Sequence, residues 1–144
     1  MWCAVYAEPY VDPAKIYGLG TFEDPYLIST ALQLKTLANE VNNGDNKKDK
    51  YYLLTNDIDL AEYNWIPIGY SENTTNKYGF SGIFNGNGHV IRNIYINSDT
   101  LQYAGLFGKY FDGVLMNLGM EGGKITTTAN NSRAGALVGT AKDP

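Results

Sequence analysis

Apolar residues in the first third of the chain recur with helical spacing: Leu34, Leu37, Ala38 and Val41 fall at i, i+3, i+4 and i+7. Thr30 stands where a helix N-cap belongs, Gln33 follows three residues later in capping-box position, and Gly44 supplies a stop. The pattern predicts a short amphipathic helix over about 30–43. Ahead of it, Pro9, Pro13, Pro25, Gly18 and Gly20 break up residues 8–28, which read as an extended leading segment. Behind it, the alternating charges of GDNKKDK (44–50) read as a solvated connection. From Tyr51 the period changes to two. Tyr52, Leu54, Ile58 and Leu60 alternate with mostly polar neighbours, as a strand with one buried face requires. A long loop holding Trp65-Ile66-Pro67-Ile68-Gly69 and the polar stretch 71–79 follows, and strand signals then continue through residue 139.

These later strands recur. GIFNGNGHVIRNIYI (82–96) and GLFGKYFDGVLMNLGM (105–120) share a Gly-aliphatic-Phe opening and a V-[IL]-x-N-[IL]-x-[IM] strand; the openings lie 23 residues apart and the strands 24. AGALVG (134–139) opens a third recurrence. A period in the twenties, with glycine corners and short apolar strands, predicts a solenoid. The Leu-x-x-Leu-x-Leu frame of leucine-rich repeats is missing, so the predicted class is all-β, a right-handed parallel β-helix with a short N-terminal capping α-helix. Asn93 and Asn117 take the same repeat position and are expected to stack as an asparagine ladder. The helix is expected to cover the first coil, since solenoids need terminal caps. No cap follows the third recurrence, so further repeats or domains of the same polypeptide are expected beyond Pro144. An uncovered end is expected to self-associate.

Composition narrows the function. The 144 residues suit one folding unit, and 16 Gly with 12 Tyr favour frequent turns over a helical bundle. A net charge of −4 with no basic stripe makes nucleic acid a poor partner. No apolar run reaches the roughly 20 residues that span a bilayer, so membrane insertion is not expected. Cys3 has no second cysteine to pair with. It lies in MWCAVYAEP, where Val5-Tyr6-Ala7 before Glu8-Pro9 has the look of a signal-peptidase site without the charged and fully apolar regions that precede one; a gene-fragment start is the other reading. The chain is therefore divided into 1–17, a leader remnant or extended N-terminal segment, and 18–144, the cap and first coils.

The ordered series GTFEDPYLISTALQL (20–34), YYLLTNDIDL (51–60), Trp65-Ile66-Pro67-Ile68-Gly69, FSGIFNGNGHVIRNI (80–94) and AGLFG with its downstream VLMNLG resembles bacterial surface proteins that carry the GLUG repeat. That group includes adhesin-like proteins and accessory regions of immunoglobulin A1-type peptidases. The resemblance covers about residues 18–139, although this chain holds only two well-matched repeats and part of a third. It implies a β-helix outside the cytoplasm, secreted or at the cell surface, used for adhesion or display. It transfers no catalytic residue, because the signature is built of glycines, aliphatics and asparagines.

Several residues invite chemistry. Asp57 and Asp59 flank Ile58 and should share an outer face roughly 7 Å apart, compatible with the paired acids of an inverting glycosidase. No second cluster of acids or arginines supports them, and solvated outward carboxylates are the simpler reading. His89 has neither a nucleophile nor an orienting acid signalled around it. HExxH is missing, so no zinc site is expected. Asn85-Gly86-Asn87-Gly88 reads as a tight turn rather than a phosphate or calcium loop, because no helix follows it and it contains no carboxylate. No cofactor is expected. The strongest binding signal is aromatic: Trp65, Tyr70 and Tyr95 are the candidate ligand contacts, with Tyr78, Tyr103 and Tyr110 further possibilities. The expected function is a non-catalytic cell-surface or secreted module for adhesion, binding host or matrix glycan or protein, or for spacing. The alternative is an accessory module of a secreted peptidase or polysaccharide-degrading enzyme whose catalytic domain lies outside the chain.

Overall fold

The computed structural model describes residues 9–70 and 78–142. Cys3, the cleavage-site reading of residues 1–8, most of the loop 71–79 and the final two residues lie outside the described residues. The elements begin with β1 (Tyr26–Ile28), α1 (Ala31–Asn42), β2 (Tyr51–Leu54) and β3 (Ile58–Asp59). A second group follows: β4 (Ile83–Asn85), β5 (Val90–Arg92), β6 (Tyr95–Ser98), β7 (Tyr103–Ala104) and β8 (Phe107–Phe111). The last group is β9 (Val114–Met116), β10 (Gly119–Glu121), β11 (Lys124–Thr127), β12 (Arg133–Ala134) and β13 (Val138–Lys142).

Helix α1 forms where the spacing of Leu34, Leu37, Ala38 and Val41 puts one apolar face inward, and all four are buried. Thr30 caps it, its Oγ1 accepting from the Gln33 backbone N–H at 3.2 Å. The reciprocal half of the expected capping box is displaced by one residue, because the Gln33 side chain accepts from the N–H of Ser29 at 2.8 Å. Its amide also donates to the Lys15 carbonyl at 2.9 Å, tying the leading segment to the helix. The alternation from Tyr52 to Leu60 holds: Tyr52, Leu54, Ile58 and Leu60 are all buried. Burying each such side chain stabilises the fold by about 1.5–3 kcal/mol.

One core serves the whole described chain. The helix residues join Tyr52, Phe80, Phe84 and Phe107, whose rings meet edge-on or tilted at centroid distances of 5.2–6.4 Å.

The sheets correct the expected architecture. Among the described residues every strand pair is parallel, but the strands divide into five separate sheets: β1-β2-β4-β9, β10-β5-β3, β11-β6, β12-β7 and β13-β8. None of these forms a solenoid. With a 12-residue helix built into the core, the class is mixed α and β rather than an all-β right-handed parallel β-helix. The physical reason is the density of corners. Asn87, Gly88, Asn93, Asp112, Asn117, Gly122 and Gly123 all hold positive φ, so the strands run for only two to five residues and their ladders do not merge.

Register also departs from the sequence alignment. Val90 does not match Val114; Val114 pairs with Ile83, and Val90 pairs with Gly119. The turn lengths explain this. Residues 86–89 separate β4 from β5, whereas only Asn117 and Leu118 separate β9 from β10. Asn93 and Asn117 both sit at left-handed corners but do not stack on each other. Asn93 Nδ2 donates to Asp59 Oδ1 at 3.0 Å, and Asn117 Nδ2 to Asn85 Oδ1 at 3.2 Å.

Candidate ligand-binding groove

Segment 64–67 lies beside β6, fixed by the Trp65 backbone N–H donating to the Tyr95 carbonyl at 2.9 Å. Side chains alternate along it. Trp65 and Pro67 point into the fold, and Asn64 and Ile66 face outward. Strand β6 alternates in the same way, with Ile96 buried between exposed Tyr95 and Asn97. The C-terminal half of α1 forms the opposite wall with Asn39, Asn42 and Asn43, which fall at i, i+3 and i+4 and therefore share a face.

These elements enclose a groove of about 520 Å³. It brings together Trp65, Tyr70 and Tyr95, the three residues that sequence reasoning singled out, and adds five asparagines at positions 39, 42, 43, 64 and 97. Among the described residues, none that lines it is acidic or basic. The volume lies within the range of small-molecule sites.

The residues of the groove divide by role. Trp65 is only 4% exposed, and its indole N–H donates to the Leu106 carbonyl at 3.1 Å, so it forms the floor rather than an exposed platform. Tyr95, at 41% exposure, and Ile66, at 53%, offer the open apolar surface. Asn42 is fully engaged: its Nδ2 donates to the Pro67 carbonyl at 3.0 Å, and its Oδ1 accepts from the N–H groups of Gly69 at 2.9 Å and Tyr70 at 2.6 Å. It holds the lip in place and positions Tyr70. Asn39, Asn43, Asn64 and Asn97 carry the remaining amides, each able to donate and accept. Sequence reasoning missed the asparagines, although their i, i+3, i+4 spacing in α1 and the Asn64-Trp65 pair were available as signals.

The other tyrosines lie elsewhere. Tyr78 is exposed beside Gly44. Tyr103 carries the Lys109 ammonium over its ring at 5.2 Å. Tyr110 packs on Phe80 and Phe107, and burial of its hydroxyl raises its pKa to about 12.

Asp57, Asp59 and His89 meet on the outer face of β3 and β5. Asp57 Oδ1 accepts from the Val90 backbone N–H at 3.0 Å and lies 3.2 Å from His89 Nδ1; Oδ2 accepts from Arg92 Nη1 at 3.1 Å. Arg92 Nε donates onward to Glu121 at 3.3 Å. Asp59 accepts from Asn93 and from the Ala61 backbone N–H at 2.9 Å. The Val90 N–H, with Arg92 and His89, holds the Asp57 carboxyl below its ordinary pKa, and Asn93 with the Ala61 N–H does the same for Asp59. A general acid needs the opposite shift. Both carboxylates tie neighbouring strands and turns together. The NGNG turn is equally structural: Asn87 N–H donates to Asn85 Oδ1 at 2.9 Å, and the Asn87 amide reaches the Leu54 carbonyl. Among the described residues, no group of three or more His, Cys, Asp or Glu is placed to hold a metal ion, and no helix is long and apolar enough to cross a membrane.

No family model matches the chain, and no solved structure matches it significantly. Two curated proteins are similar to it. One, from Evansella cellulosilytica, is named as a Gly-rich membrane protein and is 37% identical over 129 residues, covering 85% of this chain and 14% of the relative. The other is halomucin from Haloquadratum walsbyi, 28% identical over 156 residues, covering 85% of this chain and 2% of the relative. The chain thus spans a small part of both.

Proposed function

We propose that this chain is a non-catalytic binding module at a membrane or cell surface, and that the groove between α1 and β6 is its binding site. The observation that carries this reading is the convergence of Tyr70 and Tyr95 with the amides of Asn39, Asn43, Asn64 and Asn97 in one cleft of about 520 Å³ whose described lining carries no charge. Ligand sites typically combine apolar and aromatic walls with a few placed polar groups, and this groove has that composition. The outer-face carboxylates are occupied as structural acceptors, which weighs against the paired-acid alternative. The names of the two relatives support a membrane or surface location. The resemblance to GLUG-repeat surface proteins points the same way and favours an adhesive, extracellular role.

The test is a screen of the purified chain on glycan and matrix-protein arrays, with a reducing-sugar assay in parallel. Binding that is lost in Tyr95→Ala, without sugar release, is the expected result. Turnover lost in Asp57→Asn/Asp59→Asn overturns it.

A further inference from the structure

We infer that the groove takes an uncharged carbohydrate, with a sugar ring seated on Tyr95 and its hydroxyls held by the asparagine amides of the two walls. This assignment rests on the binding reading above and narrows it to one ligand class.

Three features carry it. Tyr95 and Ile66, 41% and 53% exposed, both line the groove from adjacent segments and offer apolar surface against which the C–H face of a sugar ring packs. Around that patch stand Asn43, Asn64 and Asn97, whose side chains are not engaged in hydrogen bonds among the described residues. An amide presents a donor and an acceptor together, and a pair of adjacent sugar hydroxyls does the same, so the two match bidentately. The lining carries no charge among the described residues, so an acidic sugar or a charged peptide would lose hydration there without gaining an ion pair from them.

The backbone argues against an extended peptide. Peptides that add to a sheet need a free strand edge. Strand β6 is paired along its length with β11, and on its other side the Tyr95 carbonyl already accepts from Trp65. The Tyr95 end of that edge is thus occupied, which favours recognition by side chains. Asn42 supports it indirectly, because its three hydrogen bonds fix residues 67–70 at the lip.

The experiment is a titration of the full chain with the uncharged tetrasaccharides maltotetraose, cellotetraose and chitotetraose, read by calorimetry and, in a Trp2→Phe background that leaves Trp65 as the one indole, by tryptophan fluorescence. Tetragalacturonate and a blocked, uncharged Gly/Ser/Thr peptide serve as probes of the other classes. Binding of at least one neutral sugar is expected, weakened about tenfold or more in Tyr95→Ala and reduced in Asn97→Ala. Tyr95→Phe, which keeps the ring, should retain binding, and Asp57→Asn, outside the groove, should bind as the parent does. A thermal melt of each variant identifies any that fails to fold. Preference for the peptide or for tetragalacturonate overturns the carbohydrate assignment while leaving a binding module. Sugar binding indifferent to Tyr95→Ala and Asn97→Ala overturns the groove. Silence toward every probe overturns both.

Discussion

The indole N–H of Trp65 donates to the carbonyl oxygen of Leu106 at 3.1 Å, across 41 residues of sequence. The same carbonyl accepts from the Ile68 backbone N–H at 2.9 Å. The segment under the groove is thereby fastened to the core twice at one acceptor. Trp65→Ala is expected to destabilise the fold by about 3–5 kcal/mol, since it empties a large buried site. Trp65→Phe, which keeps the ring volume in part and leaves Ile68 bonded to Leu106, is expected to cost less than half of that. Urea unfolding followed by circular dichroism separates the two, and equal losses would contradict the assigned floor role.

Asn42 bridges α1 to residues 67–70 with three hydrogen bonds. Asn42→Ala removes all three, and at about 0.5–1.5 kcal/mol each the expected loss is about 2 kcal/mol. Binding in the groove should weaken as well, although the Asn42 side chain is already engaged within the protein. Chemical denaturation and a sugar titration on the same variant check both effects. Unchanged binding in a destabilised variant would show that the lip does not shape the site.

Much of this was legible in the chain. The helix was readable because its spacing, Thr30 and Gln33 all agree, and the inward set Tyr52, Leu54, Ile58 and Leu60 followed from strict alternation. Register was not, because a V-[IL]-x-N pattern looks the same wherever it falls, while the difference between the turn at 86–89 and the Asn117-Leu118 corner decides which strands meet. The aromatics of the site were visible as residue types. That Trp65 is a buried floor and Tyr95 the open platform depends on which side of each strand faces the core, which residue type alone does not specify.

Acid should weaken the outer face in a defined direction. The Asp57 carboxyl is held below its ordinary value of 3.8 in the folded state by the Val90 N–H, Arg92 and His89. A carboxylate with a depressed folded pKa contributes stability that is present above its unfolded pKa and lost as pH falls through the folded one. The urea midpoint is therefore expected to fall on acidification below about pH 4, and Asp57→Asn should be less stable near neutrality and show a shallower acid loss. Parallel pH profiles for parent and variant would remove Asp57 from the account.

Gly86 and Gly88 lie in the same turn and should respond differently to alanine. A Cβ at Gly86 would stand 2.5 Å from the Asn117 carbonyl oxygen and 2.6 Å from the Leu118 Cα, both backbone atoms of the neighbouring corner. At Gly88 nothing lies within 4 Å, but φ is +79°. Gly88→Ala is expected to cost about 1–2 kcal/mol, the strain of a left-handed residue. Gly86→Ala should reach or exceed about 3 kcal/mol, the upper end for overpacking. Thermal melts of the two variants decide, and a reversed order would contradict the packing of β4 and β5 against β9 and β10.

The most direct measurement of the central claim is a two-dimensional NMR titration of the full chain with the neutral tetrasaccharide that binds best, following backbone amides and asparagine side-chain NH₂ groups. The account expects shifts concentrated at Asn43, Asn64, Tyr95 and Asn97, with the Asp57–Arg92 face silent. Shifts centred on Asp57, His89 and Arg92 instead, or none at saturating sugar, would contradict it.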